Sequence, residues 1–130
     1  MSNKVLTMKL LKDKFAVCRL SNNELIPQWA KESNFFSITK TPDELSIVCS
    51  QDRVPNGIQC EKDWMALKVE GPLDFSLIGI LSSISTILAE EGISIFAIST
   101  YDTDYILVKD KEVDKAIDAL SSGRYKIIKE

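Results

Sequence analysis

The residues of this chain best suited to holding a small charged molecule are Ser99, Thr100, Tyr101 and Asp104. Ser99 and Thr100 offer hydroxyls that both donate and accept, Tyr101 offers an aromatic wall, and Asp104 offers a fixed negative charge able to hold an ammonium group. A second group precedes them in the chain. Gly71 lets the backbone approach a ligand closely, and the turn through Leu73, Phe75 and Ser76 exposes the N–H groups at the start of the following helix. A carboxylate is favoured there, with roughly 0.3–1 kcal/mol from the helix macrodipole at an exposed site. Together the two groups make a receptor for a zwitterion. Structural readings stand beside this one: Asp74 is a preferred helix cap, and Asp102 and Asp104 also suit a turn for its geometry alone.

The chemistry that is missing narrows the field further. The chain has no histidine, which removes the commonest general base and the commonest metal ligand. A Ser-His or Cys-His nucleophile is therefore impossible, and the expectation is no catalytic residue, no metal and no cofactor. Cys18, Cys49 and Cys60 are widely spaced, with no pair close enough in sequence to suggest a metal clip. Cys18 and Cys49 fall within strand-like runs and read as small core hydrophobes, whereas Cys60 in a polar connector reads as the exposed thiol. A net charge of −3, from 16 basic and 19 acidic residues, provides no footprint for nucleic acid or an anionic membrane. No apolar run approaches the roughly 20 residues of a membrane span, and the N-terminal stretch lacks the apolar core of a signal peptide. The expectation is a cytoplasmic protein.

The elements that would position these groups follow from apolar spacing. Met65, Leu67 and Val69 alternate with Ala66, Lys68 and Glu70, the period of a strand with one wet face, and Gly71-Pro72 stops it. Leu77, Ile80, Leu81, Ile84, Ile87 and Leu88 recur at helical spacing and predict a helix from Phe75 to Ala89 that ends at Gly92. Ile93 to Tyr101 and Tyr105 to Lys109 predict two strands joined by Asp102, Thr103 and Asp104. Asp110 then suits a cap for a helix carrying Val113, Ala116, Ile117 and Leu120, and Tyr125 to Ile128 predicts a last strand. The second half reads as βαββαβ, a ferredoxin-like α+β arrangement in which right-handed crossovers put four strands in one antiparallel sheet.

The first half reads as a shortened version. Val5 to Leu11 and Phe15 to Leu20 predict a hairpin around Lys12-Asp13-Lys14. A short helix capped by Ser21 or Asn23 carries Leu25, Ile26, Trp29 and Ala30, with Pro27 in its first turn. Phe35 to Thr39 and Leu45 to Cys49 predict a strand pair turning at Pro42-Asp43-Glu44, and Gln51 to Lys62 a connector. FAVCRL (15–20) can be laid on MALKVE (65–70), and FSITKTPDELSIV (36–48) on FAISTYDTDYILV (96–108). The alignment suggests an internal repeat; chance likeness between period-two hairpins is the competing explanation.

VEGPLDFSLIGIL (69–81) followed by GISIFAISTYDTDYILVKD (92–110) resembles the ACT-like proteins related to the CASTOR amino-acid sensors. The resemblance implies a tandem arrangement: a degenerate ACT-like subdomain at 1–61 and a ferredoxin-like ACT domain at 62–130. It also implies that Thr100, Tyr101 and Asp104 lie at the ligand. The helix-start position that is acidic in the related arginine sensors is Leu77 here, which leaves a smaller or apolar amino acid open beside arginine. The function expected is that of a regulatory or sensor protein that binds an amino acid or similar small zwitterion and performs no catalysis. A structural protein–protein interaction domain and an accessory subunit of an amino-acid metabolic enzyme are the alternatives. The helix 75–89 carries no charged residue, and its Gly79, Ser82, Ser83 and Thr86 face suggests packing on another copy, making a homodimer or a regulated partner protein the expected assembly; an ordinary wet serine face is the other reading.

Overall fold

A short apolar alternation at the N-terminus, Leu6, Met8 and Leu10 against Thr7 and Lys9, begins the longest strand of the molecule. The computed structural model describes residues 5–70 and 79–130. They form strands β1 (Leu6–Leu20), β2 (Ser37–Lys40), β3 (Leu45–Ser50), β4 (Cys60–Val69), β5 (Ile95–Ser99), β6 (Asp104–Lys109) and β7 (Tyr125–Lys129), with helices α1 (Ile80–Glu90) and α2 (Val113–Ser121). Two compact units result, Met1–Lys12 with Met65–Glu130, and Asp13–Trp64. β1 and β4 contribute one end to each.

In the larger unit the strand order is β7-β1-β4-β6-β5. β1 pairs with β7 in parallel from Leu6↔Tyr125 to Leu10↔Lys129, and β5 pairs with β6 antiparallel from Ile95↔Val108 to Ser99↔Asp104. The four-strand sheet expected from residues 62–130 thus takes in a fifth strand, because the N-terminal end of β1 lies between β7 and β4. Met8 explains why: it is fully buried in a core with Leu67, Val69, Ile84, Leu88, Ile106, Val108, Ala116 and Leu120. Both helices bury their apolar residues in that core and pack on each other. The division drawn at residue 61 follows chain order, whereas the compact units divide after Lys12 and after Trp64. Alternation reveals that a strand exists but does not name its neighbour.

α1 is shorter than its apolar spacing predicts. Gly79 adopts φ +83° and serves as the N-cap, so a right-handed helix cannot run through it from Phe75. Residues 71–78, with the start of that predicted helix and Asp74, lie outside the described residues. On the face expected to be small and uncharged, Gly79, Ser82 and Thr86 are exposed, but Ser83 is half-buried and its Oγ accepts a hydrogen bond from the Tyr125 hydroxyl at 2.9 Å. At the other end Gly92 has φ +72°, its N–H donates to the Ala89 carbonyl at 3.0 Å, and Ile93 N–H reaches back to the Leu88 carbonyl at 3.0 Å. This is a Schellman stop, with Ile93 and Leu88 meeting in the core. Gly92→Ala is expected to cost about 1–2 kcal/mol through the left-handed backbone alone, since an added Cβ would meet nothing within 4 Å. A urea midpoint lowered at unchanged slope checks it. α2 begins at Val113 after a 3₁₀ turn at Asp110–Glu112, and Glu112 takes the cap position without a side-chain bond, so Asp110 is not the cap.

In the smaller unit β1 pairs with β3 antiparallel from Phe15↔Ser50 to Leu20↔Leu45, and β2 with β3 from Ser37↔Val48 to Lys40↔Leu45. The hairpin expected at Lys12-Asp13-Lys14 is absent: β1 is one strand of 15 residues. Asp13 alone of the three tolerates a positive φ, and no glycine or asparagine stands beside it to complete a tight hairpin. The predicted short helix is only a 3₁₀ turn, Gln28–Lys31, which buries Ala30. Pro27 fixes its own φ and pushes Ile26 away from helical backbone, so Leu25 (90% exposed) and Ile26 (48%) stay outside the core.

The two hairpins, β2–β3 and β5–β6, share a turn design. Thr41 N–H donates to the Glu44 carbonyl at 2.9 Å and Thr100 N–H to the Thr103 carbonyl at 2.7 Å, and each threonine hydroxyl also bonds to the backbone across its own turn. The paired registers match Thr41 to Thr100, one residue out of step with the alignment of 36–48 on 96–108. A one-residue slip exchanges the two faces of a strand, and the burial of Ile47, Val48 and Cys49 corresponds to that of Ile106, Leu107 and Val108.

Candidate functional site

The β5–β6 turn gathers most of the polar side chains singled out above. The turn itself is 100–103, so Asp104 is the first residue of β6, directly across from Ser99, rather than part of the turn. Ser99 Oγ donates to Asp104 Oδ1 at 2.5 Å. Asp104 is half-buried, and this bond holds its carboxylate in one orientation while leaving its other oxygen outside that bond. The Thr100 hydroxyl is used inside the turn, accepting from Thr103 N–H at 3.2 Å and lying 3.1 Å from the Thr103 carbonyl as donor. Tyr101 stands 82% exposed, so its ring is presented at the surface instead of forming a buried wall.

Thr103 ties this corner to the rest of the unit and was not singled out from its sequence context. Its side chain is 5% exposed, and its hydroxyl donates to the carbonyl of Val69 at the end of β4. The strand end two residues before Gly71 is therefore held against the hydroxyl corner. Glu70, the next residue, is bridged by Lys9 at 3.3 Å and Lys68 at 3.6 Å. Gly71, Leu73, Phe75, Ser76 and Leu77 lie outside the described residues. The signal for Thr103 was a hydroxyl among aspartates in a turn, which marks a turn but not the direction in which the side chain points.

Beyond them α1 starts at Gly79 with no side-chain cap bond and no acidic residue in its first turn. In a helix start of this kind the first backbone N–H groups have no partner within the helix itself. Elsewhere the three cysteines are reduced; Cys18 and Cys49 are buried core residues as expected, and Cys60 opens β4 and is half-buried rather than sitting in an exposed connector. Among the described residues no group of three or more His, Cys, Asp or Glu side chains is arranged to hold a metal ion, and no helix is long and apolar enough to cross a membrane.

Comparison with known proteins places this geometry. The ACT domain family model matches residues 59–122, and a model of an N-terminal domain matches residues 13–57, nearly the span of the smaller compact unit. The human protein CASTOR3P is 33% identical over 101 residues, covering 68% of this chain and 62% of that protein. The cytosolic arginine sensor for mTORC1 subunit 1 of Bos taurus is 30% identical over 98 residues, covering 67% of this chain and 30% of the sensor. The matches thus span between about a third and three fifths of the curated relatives' lengths. Protein Atu0741 from Agrobacterium tumefaciens is 38% identical, with a TM-score of 0.91 over 97% of this chain and 94% of that one. The regulatory subunit of aspartate kinase from Thermus thermophilus, at 10% identity and a TM-score of 0.60 over 85% of this chain and 92% of that one, shares the fold. On these matches the chain belongs to the ACT-domain family, among the proteins related to the CASTOR sensors.

Proposed function

We propose that this chain is a regulatory module that binds a free α-amino acid at the corner between the β5–β6 turn and the end of β4, and that it carries out no chemistry itself. The observation that carries the reading is the bond from the buried Thr103 hydroxyl to the Val69 carbonyl, which holds the Ser99–Asp104 pair beside the strand end that leads into Gly71. Asp104, oriented by Ser99, receives the ammonium group. The N–H groups of the 71–77 segment and the first turn of α1 receive the carboxylate, with Gly71, Leu73, Phe75 and Ser76 assigned this part from sequence alone. Leu77, apolar where the arginine sensors carry an acid, points to a side chain smaller or less polar than arginine. Thr100 keeps the turn closed and contributes backbone rather than its hydroxyl, and Tyr101 covers the ligand from the solvent side. Ligand occupancy is passed to a second copy of the chain or to a regulated partner protein in the cytoplasm.

Regulatory relatives support this class: one is an arginine sensor by name, and a structural neighbour is a regulatory subunit. Thermal denaturation in the presence of each standard amino acid tests the proposal. A ligand at 100 times its Kd should stabilise the folded chain by about 2.7 kcal/mol. A rise in Tm confined to one amino acid or a few similar ones is expected. No rise with any of them would overturn the reading in favour of a purely structural interaction domain.

A further inference from the structure

The smaller unit assembles the three cysteines that are scattered in sequence. The β1–β3 register sets Cys18 opposite Ile47 and Cys49 opposite Ala16, so Cys18 and Cys49 lie on the same face, diagonally adjacent. On the other side of β1 runs β4. Arg19 N–H donates to the Gln59 carbonyl at 3.0 Å, and Glu70 N–H to the Thr7 carbonyl at 2.8 Å, so the two strands are antiparallel. The bond between residues 19 and 59 brings Cys18, one residue before Arg19, and Cys60, one residue after Gln59, to adjoining positions on β1 and β4. Cys49 and Cys60 are the side chains close enough to the Cys18 thiol to act on its ionisation. Cys60 packs on the edge of the core that encloses Cys18 and Cys49, and it alone of the three is partly open to solvent.

We infer that Cys18 and Cys60 are an oxidisable cross-strand dithiol, a covalent modification site in the smaller unit, with Cys60 as the entry thiol and Cys18 as the resolving thiol. The oxidant class is a small-molecule disulfide. The Cys60 thiolate attacks one sulfur of that disulfide, forming a mixed disulfide and expelling one small thiolate, which takes up the proton Cys60 lost. The Cys18 thiolate then attacks the Cys60 sulfur, forming the Cys18–Cys60 bond and expelling the second small thiolate, which takes up the proton from Cys18. The protein loses two electrons and two protons, and one small disulfide becomes two small thiols. Both thiols resist ionisation: the bond to Cys49 and then burial push Cys18 above its ordinary value, and burial first of all pushes Cys60 up. The exchange is therefore slow without an excess of oxidant, because the thiolate is the attacking species.

The test is incubation of the full chain, natively folded, with excess glutathione disulfide, followed by alkylation of remaining thiols and peptide mapping. The expected product is lighter by two hydrogen atoms, links the Cys18 and Cys60 peptides, leaves Cys49 alkylated, and reverts with a dithiol reductant. Cys60→Ser should abolish the link and Cys49→Ser should retain it, each with a far-UV spectrum like that of the parent. A persistent mixed disulfide at Cys60, a Cys18–Cys49 link as the main product, or no change in mass would overturn the inference.

Discussion

Asp104→Ala is expected to weaken binding of the amino acid found by thermal screening about ten- to a hundredfold. Hydrogen bonds to a charged group are worth about 1.5–3 kcal/mol, and each 1.4 kcal/mol is a factor of ten in Kd. The ammonium group of the ligand would lose the carboxylate that Ser99 holds in place, and nothing else in the 99–104 corner is charged except Asp102. The free protein should lose no more than about 1 kcal/mol, because what it gives up is one half-buried side-chain bond. Asp104→Asn separates shape from charge: it keeps an acceptor for Ser99 and should still bind poorly. Calorimetric titration reads both effects. An affinity unchanged by Asp104→Ala removes this residue from the site.

Thr103→Val acts on stability and binding together. The two side chains have nearly the same shape, but valine has no hydroxyl, and the Val69 carbonyl loses its buried donor. A buried acceptor deprived of its partner costs about 1–3 kcal/mol. The tie between the β5–β6 turn and the end of β4 is lost with it, so affinity falls even though the Thr103 side chain points into the fold. Thr103→Ser keeps the hydroxyl and should restore most of the affinity, an outcome that a simple loss of packing would not produce. Equal urea midpoints for the valine and serine variants would contradict this role.

The parts of the fold that were legible in sequence are those where period and punctuation agree. α2 shows it well: Ala116 and Leu120 recur at helical spacing, both are buried, and Gly123 follows the last turn. β5 and β6 were legible for the same reason. The hairpin expected between 5 and 20 failed because Asp13 is flanked by lysines instead of the glycine or asparagine that would complete a tight turn, and a charged trio can equally be the exposed stretch of a long strand. Gly79 was read through because one glycine inside an apolar period is often tolerated in a helix, and only its left-handed φ distinguishes a start from an interior position. The turn expected at 102–104 lies at 100–103 for a subtler reason. Asp104 has a typical turn side chain, yet its partner Ser99 fixes it as the first pair of a ladder. Side-chain type indicated where a ligand-binding group could be; the register decided which of those groups face one another.

The same limit explains Thr103 and the cysteines. Thr103 lies 34 residues from the carbonyl it bonds, and Cys18, Cys49 and Cys60 come from three different strands. Contacts of that range depend on strand order, and strand order here depends on β1 taking the place between β7 and β4, which alternation alone does not convey.

Backbone amide shifts followed by NMR during titration with the amino acid that raises Tm test the central claim most directly. The largest perturbations should fall on Ser99 to Asp104, on Val69 and Glu70, and on the first turn of α1 from Ile80, with little change in the 13–64 unit. Perturbations confined to that unit, or scattered without a maximum at the β5–β6 turn, would contradict it.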